Sequence, residues 1–98
     1  MMTLHTLNRA PSHAALLTDC LNACHRGDAL LLLEDGVYCA LNSLETPLQL
    51  PDDVSCFALE ADVAARGLSG RLLANVTLVD DAGFVQLCCD HARSISWF

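Results

Sequence analysis

Apolar residues along this chain come in short blocks separated by polar turns, and the length and period of each block predict strands alternating with helices. Residues 3–7 alternate weakly and predict a first strand, followed by a turn at Asn8, Arg9, Ala10 and Pro11. Ser12 stands where it could cap a helix over residues 13–26. Spaced at about 100° per residue, Ala14, Leu16, Leu17, Cys20, Leu21, Ala23 and Cys24 share one half of that helix. Gly27 is its expected terminator. Residues 29–33 are an unbroken apolar run between Gly27-Asp28 and Glu34-Asp35-Gly36, the pattern of a strand covered on both faces.

Residues 36–44 predict a short second helix with Val37, Ala40 and Leu41 inward, and residues 45–53, with Pro47 and Pro51, a loop. Residues 54–59 read as the third strand. Residues 60–66 read as a brief helix closed by Gly67, with Arg66 near the negative end of its dipole. Residues 76–79 form a β-branched strand, and Asp80 or Asp81 can cap a helix in which Phe84, Leu87, Cys88 and His91 recur at three-and-four spacing. Residues 94–98 close the chain as a last strand. Strands alternating with helices, without tight hairpin signals, require crossover connections. The expected fold is therefore one α/β domain over residues 1–98, a three-layer α/β/α arrangement around a mainly parallel sheet of about five short strands.

Composition sharpens this picture. The chain is 53% hydrophobic and 17% charged, against about a quarter charged in an ordinary soluble domain. Either a lightly charged surface covers a tight core, or some apolar surface meets another subunit. The net charge is −7, and Arg9, Arg26, Arg66, Arg71 and Arg93 are scattered. Direct nucleic-acid binding, which needs grouped cations, is disfavoured. The apolar runs fall far short of the ~20 residues that cross a bilayer, and residues 1–11 lack the apolar core of a signal peptide. The expected location is the cytoplasm. Six cysteines lie inside periodic apolar segments rather than in loops, which suits reduced thiols better than a disulfide scaffold.

Chemistry-bearing motifs are sparse. There is no GxGxxG, P-loop or GxSxG, and the turn after the apolar run carries two acidic side chains that would repel phosphate. Cys20 and Cys24 with His25, and Cys88 and Cys89 with His91, lack the paired spacing of zinc ribbons, so no metal is expected. Asp52-Asp53 lies in a loop and Asp80-Asp81 is explained by capping. Cys20 and Cys24 lie one helical turn apart on the apolar face, a position that fits either core packing or thiol chemistry. Cys39, Cys56 and Cys89 read as packing residues. His5, His13, His25 and His91 have no partner visible in the sequence that would make one of them a base.

Several pieces together carry a resemblance: Leu4-His5-Thr6-Leu7-Asn8-Arg9-Ala10-Pro11, Gly27-Asp28-Ala29-Leu30-Leu31-Leu32-Leu33-Glu34-Asp35-Gly36-Val37-Tyr38, Asp62-Val63-Ala64-Ala65-Arg66-Gly67-Leu68, Val79-Asp80-Asp81-Ala82-Gly83-Phe84-Val85 and Ser96-Trp97. In this order and spacing the chain resembles the TusB/DsrH family of sulfur-relay subunits over nearly its whole length. It departs at Asp81, where that family usually has an aromatic residue. The resemblance implies a DsrE-like fold. It also implies assembly with TusC-like and TusD-like, or DsrF-like and DsrE-like, subunits in a heterohexamer that carries sulfur as a cysteine persulfide. A TusA-like donor, a TusE-like or DsrC-like acceptor and the thiouridylase that modifies the tRNA wobble uridine would be its neighbours in the relay. No metal or organic cofactor is implied. Cys20, in Asp19-Cys20-Leu21, matches a cysteine of DsrH-like members and is the persulfide carrier that the resemblance suggests. The alternatives are a DsrH-type subunit in dissimilatory sulfur oxidation, a non-catalytic architectural subunit, and a stand-alone homodimeric thiol protein.

Overall fold

The computed structural model describes residues 2–98. Five strands, β1 (Thr3–Leu7), β2 (Ala29–Leu32), β3 (Ser55–Leu59), β4 (Val76–Val79) and β5 (Arg93–Trp97), pair in the order β4-β3-β2-β1-β5. Every pairing is parallel. Helices α1 (Ala14–Ala23), α2 (Glu60–Ala65) and α3 (Asp81–Asp90), with a 3-10 helix at Glu34–Ala40, supply the connections.

The layer each helix occupies follows from handedness. The chain steps from β1 to β2, β3 and β4 in one direction, so right-handed crossovers place the first three helical segments on one face. The return from β4 to β5 spans the whole sheet and places α3 on the other. The cores agree: Leu7, Leu30, Leu32, Cys56 and Ala58 pack with Cys20 of α1, Val37 of the 3-10 helix and Val63 of α2. Leu4, Ala29 and Leu31 pack with Phe57, Val79 and the α3 residues Phe84 and Leu87. Leu30, Leu31 and Leu32 are completely buried, each worth about 1.5–3 kcal/mol of transfer free energy. Beyond the reach of α3 the sheet turns polar, with Thr6 Oγ1 donating to Ser96 Oγ at 3.2 Å. The apolar surplus emerges at Leu78 and Ile95 on the two edge strands, at Val85 on α3 and at Met2 and Phe98.

Most expected boundaries hold within a residue or two, and the exceptions have causes. Ser12 does not cap α1: a turn from Ala10 O to His13 N (2.9 Å) shifts the start, and His13 occupies the cap position without a side-chain bond. The helix also stops at Ala23 rather than at Arg26, because the His25 N–H is captured by Asp28 Oδ2 at 2.9 Å. Gly27 then serves a turn instead of a helix end. With φ +89 it is the third residue of the loop closed by Asp28 N to His25 O at 3.0 Å, a conformation that suits glycine. Asp80 caps α3, accepting from Gly83 N at 2.8 Å. Gly67, at φ +67, follows α2 as expected.

Candidate thiol site and its hydrogen-bonded floor

Asp28 opens β2 and is 2% exposed, so its carboxylate must find donors inside the protein. It finds three. Thr3 N donates to Oδ1 at 2.9 Å, and His25 N (2.9 Å) and His5 Nε2 (3.0 Å) meet Oδ2. Burial alone would raise its pKa, but the His25, Thr3 and His5 hydrogen bonds win and hold it at about 2. One side chain thus ties together β1, β2 and the segment leaving α1.

His5 lies in β1 facing α1, 1% exposed. Its Nδ1 accepts from Trp97 Nε1 at 3.1 Å, and the two rings are stacked with centroids 6.2 Å apart. An indole N–H only donates, so Nδ1 must present its lone pair and Nε2 must carry the proton given to Asp28. The chain Trp97→His5→Asp28 therefore fixes one tautomer of a neutral imidazole. Trp97→Phe keeps the ring but orphans that lone pair, and it is expected to lower stability by about 1–2 kcal/mol. Urea unfolding measures the loss. Nitrogen NMR of His5 should show proton occupancy at Nε2 alone in the parent and at both nitrogens in turn in the variant.

Over this floor sit two thiols of α1. A ring nitrogen of His5 and the sulfurs of Cys20 and Cys24 lie within 4.8 Å of one another. Cys20 is completely buried, whereas Cys24, one turn later at the helix end, is only partly covered. The Cys24 thiol donates to Cys20 O at 3.3 Å. On ionisation it instead accepts from the Cys20 thiol, and that bond holds Cys24 below the ordinary thiol range against burial and the Asp28 carboxylate. The same bond, with burial and the neighbouring thiols, pushes Cys20 up. The two titrate as a pair, with Cys24 the first to become thiolate. A metal would need a free imidazole lone pair, and both His5 nitrogens are already engaged, so the donor set does not suit a metal in this arrangement.

The remaining thiols fall into two groups. Cys39 and Cys56 are buried packing residues, as expected, and burial pushes their thiols to about 11 and about 12. Cys88 and Cys89 are exposed on α3. This corrects the expectation that Cys88 faces inward and that Cys89 packs: α3 is a single outer helix whose contact stripe is only Phe84 and Leu87. His25 lies in solvent and holds Asp28 through its backbone N–H at 2.9 Å, with its ring Nδ1 4.0 Å from the same carboxylate oxygen. The thiols' imidazole neighbour is His5, from β1, which sequence spacing did not suggest. A cleft of about 410 Å³ between α1 and the 44–48 loop is lined by Pro11, Leu17, Cys39 and Leu48, and neither Cys20 nor Cys24 opens into it. No helix among the described residues is long and apolar enough to cross a membrane.

The model of the DsrH-like protein family matches residues 9–94. Protein TusB of Pectobacterium parmentieri is 40% identical over 95 residues, covering 96% of this chain and 99% of the relative. Protein TusB of Yersinia pestis matches with the same identity and coverage. The chain belongs to the TusB/DsrH family. Among solved structures, protein Tm0979 from Thermotoga maritima superposes with a TM-score of 0.68 at 25% identity, over 91% of this chain and 93% of that one. The ychN protein from E. coli gives 0.70 at 14% identity over 99% and 100%, a likeness of fold alone. The parallel five-stranded α/β/α arrangement is thus the expected TusB/DsrH one.

Proposed function

We propose that this chain is an auxiliary subunit of a sulfur relay, passing persulfide sulfur toward 2-thiouridine at the tRNA wobble position. The observation that carries the reading is a thiol pair with one partly exposed member in a chain 40% identical to proteins called TusB over nearly their full length. The partners are TusC-like and TusD-like subunits in a heterohexamer, with a TusA-like donor and a TusE-like acceptor. Sulfur resides on the Cys20–Cys24 pair: Cys20 is the residue the family resemblance singles out, and Cys24 is the one a partner's thiol can reach. A relay thiol must attack a persulfide and then yield the outer sulfur, and access and thiolate character govern both steps. Bulk charge of −7 makes the RNA-contacting surface a partner's rather than this chain's.

Co-expression with TusC-like and TusD-like subunits tests the reading, with native mass as the readout of assembly and nucleoside analysis as the readout of thiolation. The complex is expected to assemble, and a Cys20→Ser/Cys24→Ser variant is expected to assemble equally well and deliver about tenfold less sulfur. Unchanged 2-thiouridine in an intact variant complex would remove the pair from the relay. A parent chain that ignores both subunits would sink the assignment itself.

A second reading is favoured by the DsrH-like family match together with the presence of Cys20. There the same subunit works in dissimilatory sulfur oxidation, handing sulfur to a DsrC-like acceptor. Genes for dissimilatory sulfite reductase beside this one would select it, and their absence the tRNA pathway.

A further inference from the structure

We propose that Cys20 and Cys24 form a discharge pair: Cys24 receives the sulfur, and Cys20 expels it as sulfide when no acceptor thiol arrives. The proposal rests on the relay reading above and assigns different tasks to two cysteines which that reading treats together.

The geometry separates the roles. Cys24 is the member that meets solvent, and its non-helical ψ of 134 places it where α1 has already ended. A persulfide donor approaching from outside therefore reaches Cys24 first. Its thiolate attacks the outer sulfur of the donor persulfide, the donor leaves as a thiolate, and Cys24 becomes Cys24–S–S⁻ once the proton is lost. Cys20 lies behind it, fully buried, so it approaches the inner sulfur from the core while the outer sulfur points toward solvent. Thiol exchange requires attacking, central and leaving sulfur in a near-linear row, and a buried Cys20 behind a partly exposed Cys24 is compatible with that row.

The step balances. Cys20–SH with Cys24–S–S⁻ gives a Cys20–Cys24 disulfide and HS⁻: the Cys20 S–H proton moves to the outer sulfur, a new S–S bond forms between the two side chains and the old S–S bond breaks. The outer sulfur is reduced to sulfide and the two cysteines are oxidised. A dithiol reductant then restores the pair. The product is sterically allowed, because residues four apart on a helix have Cα atoms about 6 Å apart, inside the roughly 4.4–6.8 Å range of disulfides. The sulfurs already lie within 4.8 Å, and Cys24 has left helical geometry, with ψ 134.

Other thiols are poor competitors. Cys39 and Cys56 are buried packing residues engaged with the carbonyls of Arg9 and Phe57, and neither belongs to the cluster within 4.8 Å that Cys20 and Cys24 form with His5. Cys88 and Cys89 ride on α3, on the opposite face of the sheet. Cys20 must give up its proton to attack, and its bond to Cys24 and its burial both disfavour that ionisation. Discharge is thus slower than loading, and an acceptor that docks promptly takes the sulfur first.

The test uses the full chain, together with any subunits that co-purify, in a Cys88→Ser/Cys89→Ser background that removes the exposed thiols. The reduced protein is given one equivalent of glutathione persulfide, quenched by alkylation and read by intact mass, peptide mapping and sulfide trapping. The expected result is loss of two hydrogens mapped to a Cys20–Cys24 disulfide, with stoichiometric sulfide. Adding Cys20→Ser should instead leave one extra sulfur on Cys24 and lower sulfide release by about tenfold or more. Adding Cys24→Ser should abolish both products. A parent pair that keeps the extra sulfur on Cys24 without releasing sulfide overturns the discharge step while leaving the relay reading intact. A disulfide mapped to Cys39 or Cys56 also overturns the step. Failure of both thiols to react overturns the discharge step and the carrier site together.

Discussion

Asp28→Ala is expected to destabilise the fold by about 3–5 kcal/mol, the summed loss of several charge-assisted hydrogen bonds whose donors are left without an acceptor. Three donors, Thr3 N, His25 N and His5 Nε2, lose their acceptor at once, and the Thr3 and His5 donors are closed to water. A domain of this size has about 5–15 kcal/mol in total, so the variant keeps a much reduced margin and should unfold at a clearly lower urea midpoint. Asp28→Asn keeps the volume and one acceptor oxygen, but its amide must face one of the donors, and a loss of about 2 kcal/mol is expected. The sign of the pH effect follows from the depressed pKa, about 2 in the fold against an ordinary 3.8. Asp28 contributes its full stabilisation above the unfolded value, and that contribution, about 2 kcal/mol, disappears as pH falls through the folded value. Urea unfolding between pH 7 and pH 2 should therefore show the parent weakening faster than Asp28→Asn across the lowest two units. Parallel curves would mean that the three bonds do not select the ionised carboxylate.

Gly36→Ala is the second large expected effect and has a different origin. A Cβ at Gly36 would overlap Leu7 O and stand 2.9 Å from Leu7 C and 3.3 Å from the Cα of Asn8. These are backbone atoms, and Leu7 O is already fixed as the acceptor of Leu33 N at 3.1 Å. Relief requires either the 3-10 helix to lift off, exposing Val37, Cys39 and Ala40, or the end of β1 to leave the sheet. A loss above about 3 kcal/mol is expected, at the upper end of overpacking penalties. Gly70→Ala is the control. It meets no atom within 4 Å but takes an alanine to φ +79, which costs about 1 kcal/mol. Equal midpoints for the two variants in urea would show that the Gly36 contact relaxes freely.

How far these features were legible in the sequence depends on whether they are local. The run at residues 29–33 announced a central buried strand, and β4 and the Asp80 cap are readable because their signals lie within four residues. The early end of α1 was hidden, since the residue that stops it, Asp28, lies beyond the helix and acts through a side chain on the backbone of His25. Periodicity in α3 was real for Phe84 and Leu87, yet it could not reveal that one helix alone covers that face and leaves Cys88 and Cys89 outside. The floor of the thiol site was hidden for another reason. His5 is separated by 23 residues from Asp28 and by 92 from Trp97, and only the parallel pairing of β1 with β2 and β5 joins them. One signal was available: a histidine between Leu4 and Thr6 in a strand bound for the interior must find hydrogen-bond partners for both nitrogens.

The pairing of Thr3–Leu7 with Arg93–Trp97 joins segments 90 residues apart in sequence, the widest separation of any strand pair in the sheet. Loop-closure entropy has to be overcome before so distant a pairing is rewarded, so β5 and the indole bond to His5 are expected to be added after β1, β2 and β3 have paired. Until then one edge of β1 is unsatisfied, and that edge is open to pairing with other chains.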